Sequence, residues 1–176
     1  KIIFGAGCFW GAEKEYAAIP GVINAVSGYS DGEGVEPTYK AITQPENKNN
    51  PDNHAEVVEV TFNSNEISVE KLTQHFFENH DPTQLNRQGN DVGTQYRSVI
   101  FYHNNEQKEI AVKSKKYADN SEYWKDPIVT EITMLNNYSD AEDYHDNYYD
   151  NNPNQPYCLF VIRPKLNKLQ KDGVID

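Results

Sequence analysis

The stretch IIFGAGCFWGAEKEYAAIPG, residues 2–21, decides how this chain begins to fold. Its first apolar residues predict a short β-strand, and the apolar positions after Cys8 repeat at helical spacing as far as Ile19. Pro20 ends that helix, because a proline ring removes a backbone donor and clashes with the preceding turn. Cys8 is therefore predicted to lie at a strand-to-helix junction, in or just before the first helical turn.

This position gives Cys8 the surroundings of a reactive thiol. Backbone N–H groups and the positive end of the helix dipole stabilise an anion there, and they can lower a thiol pKa of about 8.5 by a unit or more. Phe9 and Trp10 follow directly, so the sulfur faces apolar surface. The pattern predicts a nucleophile that accepts a small apolar group, although most lone cysteines are buried and inert.

The composition limits the classes of protein to which the chain can belong. Its 176 residues are 37% apolar, and we expect one globular domain over residues 1–176. The net charge of −11 argues against nucleic acid and anionic membrane as partners, since both need a basic surface. No apolar run is long enough to cross a bilayer.

The two cysteines and five histidines are scattered along the chain. Two distant cysteines do not make a secreted disulfide framework, which favours a reducing cytoplasm. No group of these residues has the spacing of metal ligands, so we expect neither a metal nor another cofactor. We also expect a monomer.

The hydrophobic pattern predicts alternating strands and helices separated by two long polar loops, 29–53 and 80–95. Strands are predicted at 2–4, 22–28, 56–62, 97–102 and 128–134, and helices at 12–19, 68–78, 106–123 and 140–149. This order predicts an α/β (α+β) fold, a two-layer sandwich with a ferredoxin-like split βαβ core and a mixed sheet. The long loops and an irregular C-terminal tail would lie outside that core.

The alternation of residues along the third predicted strand places Glu56 on its apolar face. Val58, Val60 and Phe62 form the apolar face of the strand, and Glu56 continues the same face. A carboxyl on a buried face resists ionisation, so its pKa rises and it can donate a hydrogen bond or a proton near neutral pH. If the strand instead begins at Val57, Glu56 lies in water.

Several motifs recur in an order that resembles the A class of peptide methionine sulfoxide reductases. They are GCFWG (7–11), PTY (37–39), HAE (54–56), HDPTQ (80–84) and NRQGNDVGTQYRS (86–98). The segment NPNQPYC (152–158) also matches a common C-terminal form of that family. Asn53 departs from the family, which usually has glycine before this histidine.

The resemblance implies a substrate and a nucleophile. Family members reduce the S epimer of methionine sulfoxide, free or in proteins, and thereby repair oxidised proteins. Cys8 would attack the sulfoxide sulfur, leaving a sulfenic acid on Cys8 and releasing methionine. Phe9 and Trp10 would form the apolar pocket for the S-methyl group.

The resemblance also implies the groups that handle the sulfoxide oxygen. Glu56 would be the acid that protonates or hydrogen-bonds this oxygen, and Tyr39 and Tyr96 would donate further hydrogen bonds to it. Asp91 would help to orient the substrate. The chemistry agrees, because a sulfoxide oxygen leaves poorly unless it is protonated.

Cys158 resembles the recycling cysteine of the family. It would attack the sulfenic acid to form a Cys8–Cys158 disulfide, which thioredoxin then reduces. Many relatives continue from this position with a Gly-rich tail, whereas this chain continues with the stiffer LFVIRPK, residues 159–165. If that run is ordered and buries Cys158, the residue is structural and an external small thiol reduces Cys8.

Three other classes of protein could carry a cysteine in this position. A papain-like hydrolase would use Cys8 with His145, but it needs an oxyanion glutamine before the cysteine, and we expect His145 to lie solvated on an acidic helix. A thioredoxin-like oxidoreductase needs a C-x-x-C motif, which is missing. An acidic binding module would carry Cys8 as an inert thiol.

Overall fold

The computed structural model describes residues 1–176. The helices and strands differ from the predicted ones mainly at their ends and in the C-terminal third. The strands are β1 (Ile2–Gly5), β2 (Val22–Ser30), β3 (Ala55–Phe62), β4 (Arg87–Gln88), β5 (Asp91–Val92), β6 (Val99–Tyr102), β7 (Glu131–Met134) and β8 (Tyr138–Asp140). The helices are α1 (Phe9–Ala17), α2 (Tyr39–Ile42), α3 (Val69–Asn79), α4 (Asn105–Asn120), α5 (Tyr148–Asn151) and α6 (Arg163–Lys171).

Six of the strands form one sheet in the order β7-β6-β1-β3-β2-β8. Its centre, β6-β1-β3-β2, is antiparallel throughout, and the crossover from β1 through α1 to β2 skips the place that β3 fills. This is the split βαβ arrangement. Because β6 and β7 run parallel, the sheet is mixed. The predicted fold class is confirmed.

The main core lies between one face of this sheet and the helices. The ring of Phe4 on β1 stacks at 5.2 Å on Tyr16 of α1 and at 5.1 Å on Phe76 of α3. Alternate residues of β3 continue that layer, since Val58 and Val60 are fully buried in the same cluster. The carboxyl end of β1 therefore leads straight into a helix that the core holds in place.

The helix predicted at 140–149 is wrong. β8 pairs with the edge of the sheet as far as Asp140, a single 3₁₀ turn follows at Asp143–His145, and α5 begins only at Tyr148. Asn147 follows the turn with a left-handed backbone, φ 51°, which no α-helix can include. Pairing with the sheet edge thus overrides the local helical pattern.

The long loops and the tail contain more regular structure than predicted. Residues 80–95 fold into the β4–β5 hairpin and a short 3₁₀ turn, Thr94–Tyr96. The tail is ordered and not irregular, because a π-helical turn, Cys158–Ile162, runs directly into α6. No helix of the structure is both long and apolar enough to cross a membrane.

Candidate active site

Cys8 is the N-cap residue of α1, at the junction that the sequence pattern predicts. The turn between β1 and α1 depends on Gly7, which has a φ of +89°. A Cβ atom at Gly7 would lie 2.8 Å from Cβ of Gln88, so only glycine lets the β4–β5 hairpin pack this close to Cys8. The hairpin and the helix therefore enclose the thiol together.

The expectation of a lowered thiol pKa is wrong. Burial raises the pKa of Cys8, and the negative charge of Glu56 when ionised raises it further. The backbone N–H of Trp10 opposes this shift, but desolvation is the larger effect. Cys8 is thus a neutral thiol at rest, and it needs a proton acceptor before it can act as a nucleophile.

Glu56 is an almost fully buried carboxyl on β3, with only 1% of its surface exposed. The strand begins at Ala55, so the alternative that placed Glu56 in water is wrong. Its Oε1 accepts the backbone N–H of Phe9 at 3.2 Å, whereas its Oε2 has no hydrogen-bond partner. Burial raises the pKa of Glu56 to about 8, so it is mostly protonated at neutral pH.

Tyr39 and Tyr96 lie near the same two groups. Tyr39 is the first residue of α2 and Tyr96 the last of the 3₁₀ turn at Thr94. The pKa of each phenol is raised mainly by burial, and the negative charges that Glu56 and Cys8 carry when ionised would raise it further. Both therefore remain neutral donors beside the carboxyl and the thiol.

Phe9 and Trp10 begin α1 and belong to a cluster of aromatic rings. Phe9 is fully buried, with its ring 5.6 Å from Tyr29. Trp10 stacks almost parallel on Tyr148 at 3.8 Å, with an interplanar angle of 10°. Tyr148 was not among the predicted site residues, and the fold brings it there from beyond β8.

His145 is buried inside this aromatic cluster, which contradicts its predicted place on a solvated helix. Its Nδ1 accepts the indole N–H of Trp10 at 2.9 Å. An indole nitrogen can only donate, so Nδ1 carries no proton and His145 is neutral. Burial lowers its pKa and keeps it neutral. His145 therefore binds the indole of Trp10, and the structure gives no support to a hydrolase that would pair His145 with Cys8.

Asp91 and Tyr157 form the other side of the site. The Tyr157 hydroxyl donates a short hydrogen bond to the Asp91 carboxylate and also lies within hydrogen-bond reach of the Cys8 thiol. Burial raises the pKa of Asp91, and the bond from Tyr157 opposes that rise. A cavity of about 290 Å³ extends from these three residues. Tyr157 was not among the predicted site residues, although this residue directly precedes Cys158.

Glu142 anchors one of the predicted donors. Its Oε2 accepts the backbone N–H of Tyr39 at 2.9 Å, and its Oε1 accepts the hydroxyl of Tyr29 at 2.7 Å. These bonds lower the pKa of Glu142, so it is a carboxylate that fixes the start of α2. It was missed because it lies in the stretch predicted as a helix.

Other polar loop residues hold the loops in shape. Arg97 donates to the carbonyl oxygens of Asn53 and Thr94, both at 2.9 Å. Asn53, in the place of the usual glycine, is fully buried and donates to the Ile42 carbonyl at 3.0 Å. The departure from the family motif is thus accommodated by a bond to the neighbouring loop.

Cys158 is fully buried at the start of the π-helical turn. Its backbone N–H donates to Oε1 of Gln155 at 3.1 Å. Cys8 and Cys158 are both free thiols in this structure. No group of three or more His, Cys, Asp or Glu side chains is arranged to hold a metal ion.

Residues 1–175 match the family model described as peptide methionine sulfoxide reductase. The chain belongs to this family. Among its relatives is a peptide methionine sulfoxide reductase MsrA from Trichodesmium erythraeum, which is 46% identical over 97% of this chain and 93% of the relative.

Two solved structures of Mxr1 from Saccharomyces cerevisiae are also similar to this reductase. The reduced form has a TM-score of 0.77 and 34% identity, covering 88% of this chain and 86% of Mxr1. Mxr1 in complex with Trx2 has a TM-score of 0.57 and 27% identity, covering 84% of this chain and 82% of Mxr1.

Family membership establishes the reaction of this reductase. It is an oxidoreductase that reduces the S epimer of methionine sulfoxide to methionine at the expense of thiols. The hydrolase and the inert binding module are therefore wrong.

Proposed function

We propose that Cys8 and Glu56 together reduce the sulfoxide. The observation that carries this proposal is the unpartnered Oε2 of Glu56, a buried carboxyl that is protonated at neutral pH. A buried polar atom without a partner costs about 1–3 kcal/mol. A sulfoxide oxygen in the site would accept its proton and remove that cost.

The reaction then balances within the site. The Cys8 sulfur attacks the sulfoxide sulfur while Glu56 gives its proton to the sulfoxide oxygen. The thiol proton of Cys8 passes to the Glu56 carboxylate, which restores the acid. The hydroxyl then moves from the substrate sulfur to the Cys8 sulfur as the bond between the two sulfurs breaks, which leaves a sulfenic acid on Cys8 and releases methionine. The substrate gains two electrons and the thiol loses two.

The neighbouring side chains would bind and orient the substrate. Tyr39 and Tyr96 donate hydrogen bonds to the developing hydroxyl, because their raised pKa values keep both phenols neutral. Phe9 and Trp10 surround the S-methyl group. Asp91, held by Tyr157, orients the rest of the substrate.

Cys158 is our candidate for recycling the sulfenic acid. Its thiolate would attack the Cys8 sulfur, form the Cys8–Cys158 disulfide and release water, after which thioredoxin reduces the disulfide. The complex of the relative Mxr1 with Trx2 supports thioredoxin as the reductant. Because Cys158 is fully buried, recycling requires the π-helical turn to open. If this turn stays closed, a small external thiol must reduce Cys8.

The remaining parts of the proposal concern the whole chain. We propose that residues 1–176 act as one catalytic domain, as a monomer in a reducing cytoplasm, on methionine sulfoxide that is free or in proteins. No prosthetic group is needed, because the electrons come from thiols.

A single-turnover assay without reductant tests this function. The protein is mixed with excess S-epimer methionine sulfoxide, and methionine, intact mass and free thiols are measured. About one methionine per chain, with both thiols lost and a mass two hydrogens lower, supports recycling by Cys158. One methionine with a trapped sulfenic acid and a free Cys158 supports the external thiol. No methionine would overturn the proposed roles of Cys8 and Glu56.

A further inference from the structure

Two side chains of one short segment contact the indole of Trp10. Tyr148 covers the face of the indole and His145 binds its edge, and both belong to residues 145–148, which run from the end of the 3₁₀ turn into the first residue of α5. A cavity of about 110 Å³ adjoins this pair and is lined by Trp10 and Tyr148 themselves. Packing therefore leaves one side of this stacked pair open.

Glu13 binds this segment to α1. It lies three residues after Trp10, and only 5% of its surface is exposed. Its Oε1 accepts the backbone N–H of Asn147 at 2.8 Å, and its Oε2 accepts the hydroxyl of Ser27 on β2. One carboxylate thus joins the helix, the sheet and the turn that carries Tyr148.

The bond to Asn147 holds a strained backbone. Asn147 has a φ of 51°, a left-handed conformation that residues other than glycine adopt only occasionally, asparagine among them. It lies between His145 and Tyr148, so any relaxation of its backbone moves both groups away from the indole. Glu13 accepts the backbone N–H of this residue and thereby fixes the position of the turn.

We propose that Glu13 is a positioning residue for the reduction, because it holds His145 and Tyr148 against Trp10. This inference rests on the proposed function, in which Trp10 contacts the S-methyl group. Glu13 itself touches no reacting atom. Its removal loosens the methyl pocket and weakens substrate binding, while the chemistry at Cys8 continues.

The geometry predicts which substitutions are tolerated. In Glu13→Gln the amide oxygen can still accept from Asn147, and the amide nitrogen can donate to Ser27, because a hydroxyl accepts as well as donates. Glu13→Ala removes both bonds. Ser27→Ala removes one of them and leaves the bond to Asn147 in place.

A second contact between the same two helices supplies a matched control. Lys14 of α1 and Asp150 of α5 form an ion pair at 2.8 Å, but their side chains are 36% and 50% exposed. Solvent-exposed pairs of this kind contribute little. Lys14→Ala therefore removes a tether of the same elements without disturbing the buried bond to Asn147.

The experiment compares these variants in a Trp124→Phe background, in which Trp10 is the only indole. It measures Trp10 fluorescence, KM and kcat for methyl and ethyl sulfoxides, and the alkylation rate of Cys8. For Glu13→Ala we expect red-shifted emission, a KM raised about tenfold, a nearly unchanged kcat and less preference for the methyl substrate. Glu13→Gln and Lys14→Ala should match the parent, and Ser27→Ala should lie between.

Each alternative outcome has one meaning. Unchanged emission and KM in Glu13→Ala would overturn the inference, and so would equal losses in Glu13→Ala and Glu13→Gln. Shifted emission with an unchanged KM would show that Glu13 positions the Trp10 indole. It would also overturn the role of Trp10 in substrate binding that the proposed function assigns. If Glu13→Ala does not fold, Glu13→Asp decides, because its shorter side chain cannot bind Ser27 and Asn147 at once: a KM equal to that of the parent would overturn the inference.

Discussion

The two cysteines of the chain lie in contrasting surroundings. Cys8 caps α1 at a turn built by β1, α1 and the β4–β5 hairpin, with Glu56 and Tyr157 close by and a cavity before it. Cys158 lies inside a π-helical turn and is fully buried. The first thiol is ready to meet a substrate and the second must move before it can react.

The difference lies in what holds each region. The Cys8 turn follows β1, which pairs with β3 and β6, and the buried Glu56 carboxyl accepts the backbone N–H of the next residue, Phe9, so the geometry is pre-formed. The Cys158 turn is held to α1 by side chains of the C-terminal segment. Ile162 packs against Gly11, and Lys165 forms an ion pair with Glu15 at 2.9 Å. Such contacts can open locally while the rest of the protein stays folded.

The largest expected effect separates the two cysteines directly. Cys8→Ser should abolish methionine formation in the single-turnover assay, because a hydroxyl cannot take the nucleophilic role. Cys158→Ser should still form about one methionine per chain and leave a sulfenic acid, which dimedone traps. Methionine produced by Cys8→Ser would show that Cys8 is not the nucleophile.

Glu56 tests whether the Cys8 region acts through a positioned acid. Glu56→Ala should lower the single-turnover rate by about 10²–10⁴-fold, the usual range for lost general acid catalysis. Glu56→Gln should keep much of the activity, since its amide still donates a hydrogen bond. Equal losses in the two variants would mean that the proton itself is essential.

The raised pKa of Glu56 also predicts how stability varies with pH. Its pKa is about 8 in the folded protein against 4.5 for an ordinary glutamate, so the folded state binds the proton more tightly. Its contribution to stability is therefore complete below pH 4.5 and is lost as the pH rises through 8. We expect Glu56→Gln to be more stable than the parent by about 1–3 kcal/mol at pH 8.5. Urea unfolding at pH 5 and pH 8.5 measures this, and a parallel pH dependence in both proteins would contradict it.

The smallest expected effect concerns the Cys158 region. Lys165→Ala should free α6 slightly and speed thiol labelling of Cys158 about two- to threefold, because the Lys165 side chain is 43% exposed and Glu15 keeps His75 as a partner. The measurement uses a Cys8→Ser background, so that only Cys158 is labelled. Lys168→Ala, on the same helix, serves as the control. Equal labelling in both variants would mean that Lys165 does not hold the turn closed.

Parts of the site could be predicted because local pattern and tertiary structure agree there. The strand–helix junction of Cys8 and the buried phase of Glu56 follow from hydrophobic periodicity, and the core strands repeat it. His145 could not be predicted, because its neighbourhood reads as a helix until the edge of β2 pairs with β8. The thiol pKa was predicted in the wrong direction, since helix position is visible in the sequence but desolvation by the hairpin is not.

The sequence by itself determined the βαβ core, the place of Cys8 and the family, because periodicity and short motifs are local properties of the chain. Only the tertiary structure decided that Tyr157 reaches Asp91, that Glu13 binds the turn at Asn147, and that Cys158 is buried. These contacts join segments far apart in sequence, and no local preference encodes them. Packing and burial, which arise when the segments meet, establish them.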